Sequence, residues 1–475
     1  MRRVLIVLDH EEALVRSATA SSSVNMTDEA GEDSGLNAQE FAQAPDFNAT
    51  RRIARESRQA ADLPRDVLID DTFAAVPIGD ASSRAQGTAS ADPQQSGEFA
   101  VRATVTESVF QEGFVAGKPV FADPDISPVA TCGGDPAIGN AQGVMQLHNV
   151  APVHQRGLDG DRVAIAIMDT GVSARHLNDQ GLSNVVDRSV VWNPIEMIAR
   201  QGRIIPPGGH QPGHGTMCAF DALIAAPKAK ILDYPIISNL GGDQGGSTMS
   251  GALSDALKAF SDLEAFWAVT FSGTRQNYDS LVVNNSWGLF HPSWDFPSGH
   301  PGRYLDNPNH PFNVRVTALA RHNVDILFAA GNCGSQCPDG RCGGKTTDTI
   351  TGANAHPDVL TLAGVDVNGG RIGYSSEGPP VAGMGAPNKP DIAAATHFNG
   401  SGVSSVDSGT SASCPVASGC VAALRTALPQ NTLNPATLFD ALRQNTPEAR
   451  AGQSWNGETG FGILDLDAAA ADLSV

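Results

Sequence analysis

Val163-Ala164-Ile165-Ala166-Ile167-Met168-Asp169-Thr170-Gly171-Val172 is the stretch from which the fold can be read. Six consecutive apolar residues, rich in β-branched side chains and ended by Asp-Thr-Gly, read as a strand buried on both faces. Such strands belong to parallel sheets covered by helices, so the fold class is α/β. A carboxylate at the end of such a strand lies at the sheet edge where α/β proteins build their sites.

Working outward, Gly213-His214-Gly215-Thr216-Met217-Cys218-Ala219 opens an Ala-rich helical stretch, and Ala226-Pro227-Lys228-Ala229 leads into a strand over 230–235. Ser408-Gly409-Thr410-Ser411-Ala412-Ser413-Cys414-Pro415 runs into the small-residue stretch Val416–Leu424, which puts Ser411 at a turn opening a helix. Asp, His and Ser are the residue types a base-activated hydroxyl nucleophile requires. Ser attacks, His takes and returns the proton, and Asp orients His. Each also has a plainer reading, as turn former, capping imidazole and N-cap. Asp169 and His214 are 45 residues apart (214 − 169), a separation that only a folded sheet collapses. His210 and His176 compete for the role of base, but neither precedes Gly-Thr and a helix.

Three further blocks complete a pattern: Asn284-Asn285-Ser286-Trp287-Gly288, Ala329-Ala330-Gly331-Asn332, and Gly409-Thr410-Ser411-x-x-x-Pro415. In this order, with Asp-Thr-Gly and His-Gly-Thr, they resemble the subtilisin-like serine endopeptidases. The resemblance runs from Gly143-Val144-Met145-Gln146-Leu147 to Gly460-Phe461-Gly462-Ile463-Leu464-Asp465. It implies a mostly parallel central sheet flanked by helices, a triad of Asp169, His214 and Ser411, and an oxyanion donor at Asn332. It also implies a substrate-binding edge at Ser286, Trp287 and Gly288, where an extended peptide adds as a strand and Trp287 faces the side-chain pockets. Gly241–Ser247, which contains Gly245 and Gly246, would be the opposite rim. The chain departs from the family pattern in Met217-Cys218-Ala219-Phe220-Asp221 and in Ala412-Ser413, which bears on packing.

The domain organisation follows. Residues 143–475 form the peptidase domain, 1–80 a small α+β region resembling a propeptide, and 81–142 a linker with a poorly assigned segment. Strand Arg3–Leu8, a helix over 48–61 and late strands near 67–78 carry that reading, with a polar middle over 19–46 expected to be disordered. Self-cleavage is expected between Phe121 and Gly143. Phe290–Asn313, rich in Pro, His and aromatics, reads as an insertion that is either a lid or a surface loop.

Composition bounds the partners. With 475 residues, 41% hydrophobic, the chain can bury a large core. Its formal net charge of −20 argues against nucleic acid or an anionic membrane surface, and no stretch approaches a membrane span. The expected partner is a peptide or protein substrate. Met1-Arg2-Arg3 and a short apolar run do not form a secretion signal, so the expected location is cytoplasmic and reduced thiols are the default. Cys333, Cys337 and Cys342 could be thiols, a disulfide plus a thiol, or zinc ligands with His356 or His397. No cofactor is needed for the chemistry. The resemblance allows a structural calcium ion, but no loop has a specific ligand pattern.

The functional expectation is a serine endopeptidase acting through an acyl-enzyme, processed at its N-terminal region. If an amine replaces water, the same site makes a transpeptidase or macrocyclase. A peptide-binding or scaffolding protein with an occluded triad is the alternative of another class.

Overall fold

A computed structural model describes residues 1–8, 63–64, 67–70, 73, 75–78, 99–128, 135–194, 198, 202–237, 251–271 and 277–475. The expected helix over 48–61, the polar middle over 19–46 and the linker over 80–95 lie outside these residues. The chain divides into two compact units, Met1–Phe121 and Ala122–Val475.

The first unit is an antiparallel sheet. It contains β1 (Arg2–Leu8), β2 (Leu68–Ile69), β3 (Val76–Pro77), β4 (Phe99–Val105), helix α1 (Glu107–Glu112), β5 (Phe114–Val115) and β6 (Lys118–Ala122). β1 and β4 pair along their full length, from Arg2 opposite Val105 to Leu8 opposite Phe99. Val4, Leu5, Ile6 and Leu8 are fully buried, as an apolar strand at the centre of a sheet requires. Residues 99–121, which had no assigned role in the sequence, complete this sheet, so the unit extends well past residue 80.

The second unit begins with β7 (Asp125–Pro128), α2 (Ala141–Leu147) and α3 (Val150–Gln155). β8 (Val163–Met168), α4 (Ala174–Asp179), α5 (His214–Ala225), β9 (Lys230–Tyr234), β10 (Gly251–Ala252) and α6 (Leu253–Phe271) follow. Then come β11 (Ser280–Asn285), β12 (Trp287–Gly288), α7 (Pro311–Arg321), β13 (Asp325–Ala329), β14 (Leu360–Val365), β15 (Ile392–Ala395) and α8 (Thr410–Arg425). Its centre is a six-stranded sheet in the order β15-β14-β13-β11-β8-β9, and every paired neighbour in it is parallel.

β8 is buried at all six positions, as its unbroken apolar run requires. Val163, Ile165 and Ile167 share one core cluster with Cys218 and Ala222 of α5 and with Ala417 and Val421 of α8. Alternation along the strand therefore presents one side to these two helices. α5 and α8 cross closely because their contact residues are small. A Cβ on Gly419 would stand 2.0 Å from the Ala222 carbonyl oxygen, so only glycine fits there. This crossing fixes the distance between the helix starts that carry His214 and Ser411. Arg425 at the other end of α8 is locked by a fully buried bidentate pair with Asp325 of β13, at 2.6 Å for both nitrogens.

Candidate active site

The strand β8 delivers Asp169 to the carboxyl edge of the sheet, where it is fully buried. Its Oδ1 accepts from the Thr170 amide at 2.7 Å. His214 is the first residue of α5, and its Nδ1 lies 2.8 and 2.9 Å from the two Asp169 oxygens. A carboxylate accepts, so Nδ1 carries the proton and Nε2 keeps a lone pair. Nε2 has no hydrogen-bond partner among the described residues.

Ser411 lies in the first turn of α8. Its Oγ donates to the Ser286 carbonyl at 3.3 Å and is not bonded to His214. Catalytic hydrogen bonds are commonly unformed without a substrate. The backbone around Ser411 is organised by Pro415. Having no N–H, Pro415 leaves the Ser411 carbonyl, four residues earlier, without its helical donor. The Ser286 hydroxyl at 3.0 Å and the Cys218 thiol at 3.5 Å supply the missing donors.

β13 ends at Ala329, and the turn behind it places Asn332, which is fully buried. Gly331 in this turn has φ 109°, and a Cβ there would stand 2.8 Å from the Ser376 hydroxyl. The Asn332 Oδ1 accepts from the Thr410 amide at 3.0 Å and the Thr410 hydroxyl at 3.1 Å. The carbonyl end of the amide is thus held by Thr410. Thr410 Oγ1 also accepts from Gly331 N at 3.0 Å, tying the turn to α8. Thr410 was visible in the sequence only as part of the Gly-Thr-Ser block. Its positioning role depends on a contact 78 residues away in the chain.

Two backbone edges stand beside this constellation. β7 lies between β10 and β12, antiparallel to both. Pro128 is opposite Trp287 and Ser127 opposite Gly288, while Ile126 faces Gly251 and Asp125 faces Ala252. Of the expected peptide-binding edge at Ser286, Trp287 and Gly288, the last two residues therefore already pair with a strand of the chain itself. The Trp287 side chain corrects the expectation placed on it. Its indole is fully buried against Phe312 and Phe328, with ring centroids 5.6 and 5.3 Å away, and does not face a side-chain pocket. Leu289 and Phe290 beyond it, with Ala330, Gly331, Thr349, Thr351 and Asn354, line a small hollow of about 20 Å³ next to Asn332. Gly245 and Gly246 lie outside the described residues.

The competing imidazoles have structural partners. His176 Nε2 bonds the Ser401 carbonyl at 2.7 Å. His210 packs over Gly171, and burial pushes its pKa down to about 4. Asp233 nearby accepts from Val172 N at 3.1 Å and Gly208 N at 2.9 Å, holding the loops on either side of β8's end. Burial raises its carboxyl to about 7 in spite of those donors.

Cys218 lies directly under the dyad, its sulfur 3.7 Å from Asp169 Oδ2 and 3.8 Å from His214 Nδ1. Burial first and the Asp169 charge second push its thiol well above the usual range, so it stays protonated. Asp169, His214 and Cys218 form the group of metal-ligand types found among the described residues, and the Asp and His are already bonded to each other. Of the unusual residues after His-Gly-Thr, Met217, Cys218, Ala219 and Asp221 are all buried, and burial first and Asp407 second push the Asp221 carboxyl well above its usual range.

The cysteine loop corrects the expectation of reduced thiols. Cys333 and Cys342 form a disulfide with Cα atoms 5.8 Å apart, and Cys337 is also disulfide-bonded. The 3-10 turn Gly340–Cys342 folds the loop back so that the two cysteines meet. With their sulfurs bonded, these three residues offer no thiolate to zinc. His356, one of the proposed fourth ligands, bonds the Thr317 hydroxyl through Nε2 at 3.0 Å.

The profile of the subtilase family matches residues 160–462. Among solved structures, the chain is similar to the MycP3 protease from the type VII (ESX-3) secretion system. That likeness is 18% identical, covers 73% of this chain and 92% of the other, and has a TM-score of 0.44. Among curated proteins, none matches the chain.

Proposed function

The chain belongs to the subtilase family and is a serine peptidase, and on that premise we propose that Asp169, His214, Ser411 and Asn332 carry its chemistry and that it cuts its own N-terminal region. Its substrate is a peptide or protein in extended form. Ser411 attacks the scissile carbonyl as His214 Nε2 removes its proton. Asp169 holds the imidazole in that tautomer and stabilises the cation that forms. The Asn332 NH2 and the Ser411 N–H receive the oxyanion, and water then releases the acyl group.

The observation that carries the reading is the 2.8 Å contact of His214 Nδ1 with a buried Asp169, on helix and strand ends that converge on Ser411. Self-cleavage rests on β7. Its last residue, Pro128, stands opposite Trp287, the neighbour in the chain of Ser286, whose carbonyl Ser411 touches. The bond expected to break is Val129–Ala130. Residues 1–129 then correspond to a removable propeptide, so the working enzyme starts near residue 130.

The disulfide at Cys333–Cys342 speaks for an oxidising compartment, against the cytoplasmic setting expected above. Among the described residues no helix is long and apolar enough to cross a membrane.

Intact mass after incubation at neutral pH tests the reading. Wild type loses a fragment ending at Val129 and Ser411→Ala keeps its full mass. Equal masses for both chains overturn self-cleavage, and failure of a fluorophosphonate to label Ser411 in a chain freed of residues 1–129 overturns the triad.

A further inference from the structure

Asp221 lies on α5 about two turns beyond His214 and has no part in the chemistry above. It is fully buried, and neither of its carboxyl oxygens meets a donor among the described residues. A carboxylate held dry and without donors is among the costliest groups a fold can bury. What Asp221 does meet is a second carboxyl. Asp407, also fully buried and four residues before Ser411 (411 − 407), lies in hydrogen-bond contact with it. Among the described residues neither side chain is paired with Lys or Arg.

The surroundings decide which of the two carries charge. Asp407 Oδ1 accepts from the Ser401 hydroxyl at 2.6 Å and Oδ2 from the Ser401 amide, so both of its oxygens are in use as acceptors. Asp221 receives nothing and must itself supply the hydrogen between them. Two carboxylates in contact cannot both be ionised, whereas an acid and a carboxylate make a strong charge-assisted bond. Burial first raises the Asp407 carboxyl as well, against the lowering by its Ser401 and Asp221 hydrogen bonds and by the charge His214 can carry. The other groups nearby are neutral or engaged. Cys218, one turn before Asp221, is a protonated thiol, and His176 of α4 uses its Nε2 on the Ser401 carbonyl at 2.7 Å.

Asp407 also shapes the backbone. Its N–H donates to the Phe398 carbonyl at 2.8 Å and its carbonyl accepts from Phe398 N at 3.2 Å, which closes the loop over 399–406. A Cβ on Gly400 would stand 2.6 Å from Asp407 Oδ2, so the loop needs glycine where the carboxylate turns inward. From Asp407 the chain runs directly through Ser408 and Gly409 into α8. We propose that Asp221 and Asp407 hold one proton between them, and that this bond is a positioning contact which sets the entry to α8 against the helix carrying His214. The inference rests on the peptidase reading above. The crossing at Gly419 fixes the bodies of α5 and α8, and the acid pair fixes the loop that delivers Ser411 to them.

The test has two arms, each comparing Asp221 with Asp221→Asn, which keeps a donor for Asp407, and Asp221→Leu, which has the same size and no donor. The first arm uses the full chain carrying Ser411→Ala and follows thermal midpoints from about pH 5 to about pH 8. The unfolded chain releases the Asp221 proton near pH 4 while the folded chain keeps it, so its folded-to-unfolded ratio falls by up to about tenfold per pH unit relative to Asp221→Asn. Groups common to both chains cancel in this difference. The midpoint gap is expected to widen in favour of Asp221→Asn as pH rises, and a gap that does not change with pH overturns the shared proton. The second arm measures fluorophosphonate labelling of Ser411 in the full chain at neutral pH. Asp221→Asn is expected to recover most of the wild-type rate, and Asp221→Leu to label about tenfold slower or worse, with the loss in the bond-forming step and not in affinity for the reagent. Equal rates for the two variants overturn the positioning role. If wild type is not labelled, the peptidase reading fails separately, and the contact is read in the Ser411→Ala chain from exchange of the Ser401 amide. Protection lost in Asp221→Leu and kept in Asp221→Asn supports the contact, and equal protection overturns it.

Discussion

Thr410→Val tests how the oxyanion donor is aimed. Valine keeps the shape of threonine at a fully buried position and removes only the hydroxyl. Among the described residues, that hydroxyl makes one of the two hydrogen bonds on the carbonyl end of Asn332, at 3.1 Å, while the Thr410 amide at 3.0 Å remains. It is also the acceptor for Gly331 N at 3.0 Å. One neutral hydrogen bond contributes about 0.5–1.5 kcal/mol, so the loss of aim corresponds to roughly a 2- to 10-fold fall in acylation rate. The ceiling is the complete loss of the Asn donor, about 10²–10³-fold, a magnitude known from subtilisin itself. Gly331 N loses its acceptor too, which adds about 1 kcal/mol of destabilisation. The assay is the rate at which an activated ester acylates Ser411, compared across wild type, Thr410→Val, Asn332→Ala and the double variant. If Thr410 acts through Asn332, it has no effect once Asn332 is alanine. An equal effect in both backgrounds, or a wild-type rate in Thr410→Val, refutes the reasoning.

Two further outcomes follow from burial. Gly419→Ala forces a methyl to within 2.0 Å of a backbone oxygen, so α5 and α8 must separate. We expect destabilisation at the upper end of the ~1–3 kcal/mol typical of overpacking, with loss of fluorophosphonate labelling, and a wild-type melting temperature with normal labelling would contradict the crossing. His148 is fully buried between Leu464 O and Ala395 N, donating from Nδ1 at 2.8 Å and accepting at Nε2 at 3.0 Å, and burial lowers its pKa to about 4. The unfolded chain binds its proton near pH 6.5, so stability is full above that value and falls as pH drops from 6.5 toward 4, by about 3 kcal/mol for this group. His310, also lowered to about 4 by burial, acts in the same direction. Thermal midpoints of the Ser411→Ala chain across this range check it, and a flat profile would remove the argument.

Parts of this molecule are legible in its sequence because their physics is local. Val163–Met168 is apolar at every position, and only a strand covered on both faces is. Gly171, Gly331 and Gly409 sit at turns with positive φ, and each marks the end of a strand or the start of a helix that carries a functional side chain. Other parts depend on partners distant in sequence. β7 is four residues long, ends in Pro128 and follows Pro124, a pattern that argues against a strand until β10 and β12 are there to receive it. β4 is a strand because β1, nearly a hundred residues earlier, lies beside it. Trp287 could not be oriented from its block, because β12 is only two residues long and shows no alternation that tells inside from outside. The spacing of Cys333, Cys337 and Cys342 carries no information on pairing, which depends on how the loop turns back at Gly340–Cys342.

The convergence on Ser411 shows what a proline inside α8 does for the residue proposed as the nucleophile. In a regular helix the Ser411 carbonyl would be consumed by the amide of residue 415. Pro415 releases it, and the carbonyl becomes an anchor for Ser286 of the peptide-binding edge and Cys218 of the helix that bears His214. Ser286 answers in kind, its carbonyl accepting the Ser411 hydroxyl. One missing N–H thus couples the nucleophile turn, the groove edge and the base helix through a single oxygen, and the three cannot shift independently. Thr410, one residue earlier, does the same for the oxyanion turn through Asn332 and Gly331. The proposed nucleophile, base, oxyanion donor and peptide edge come from four separate segments, yet each is referenced to the first turn of α8. Preorganisation of the site therefore resides in the backbone of that turn as much as in the side chains that react.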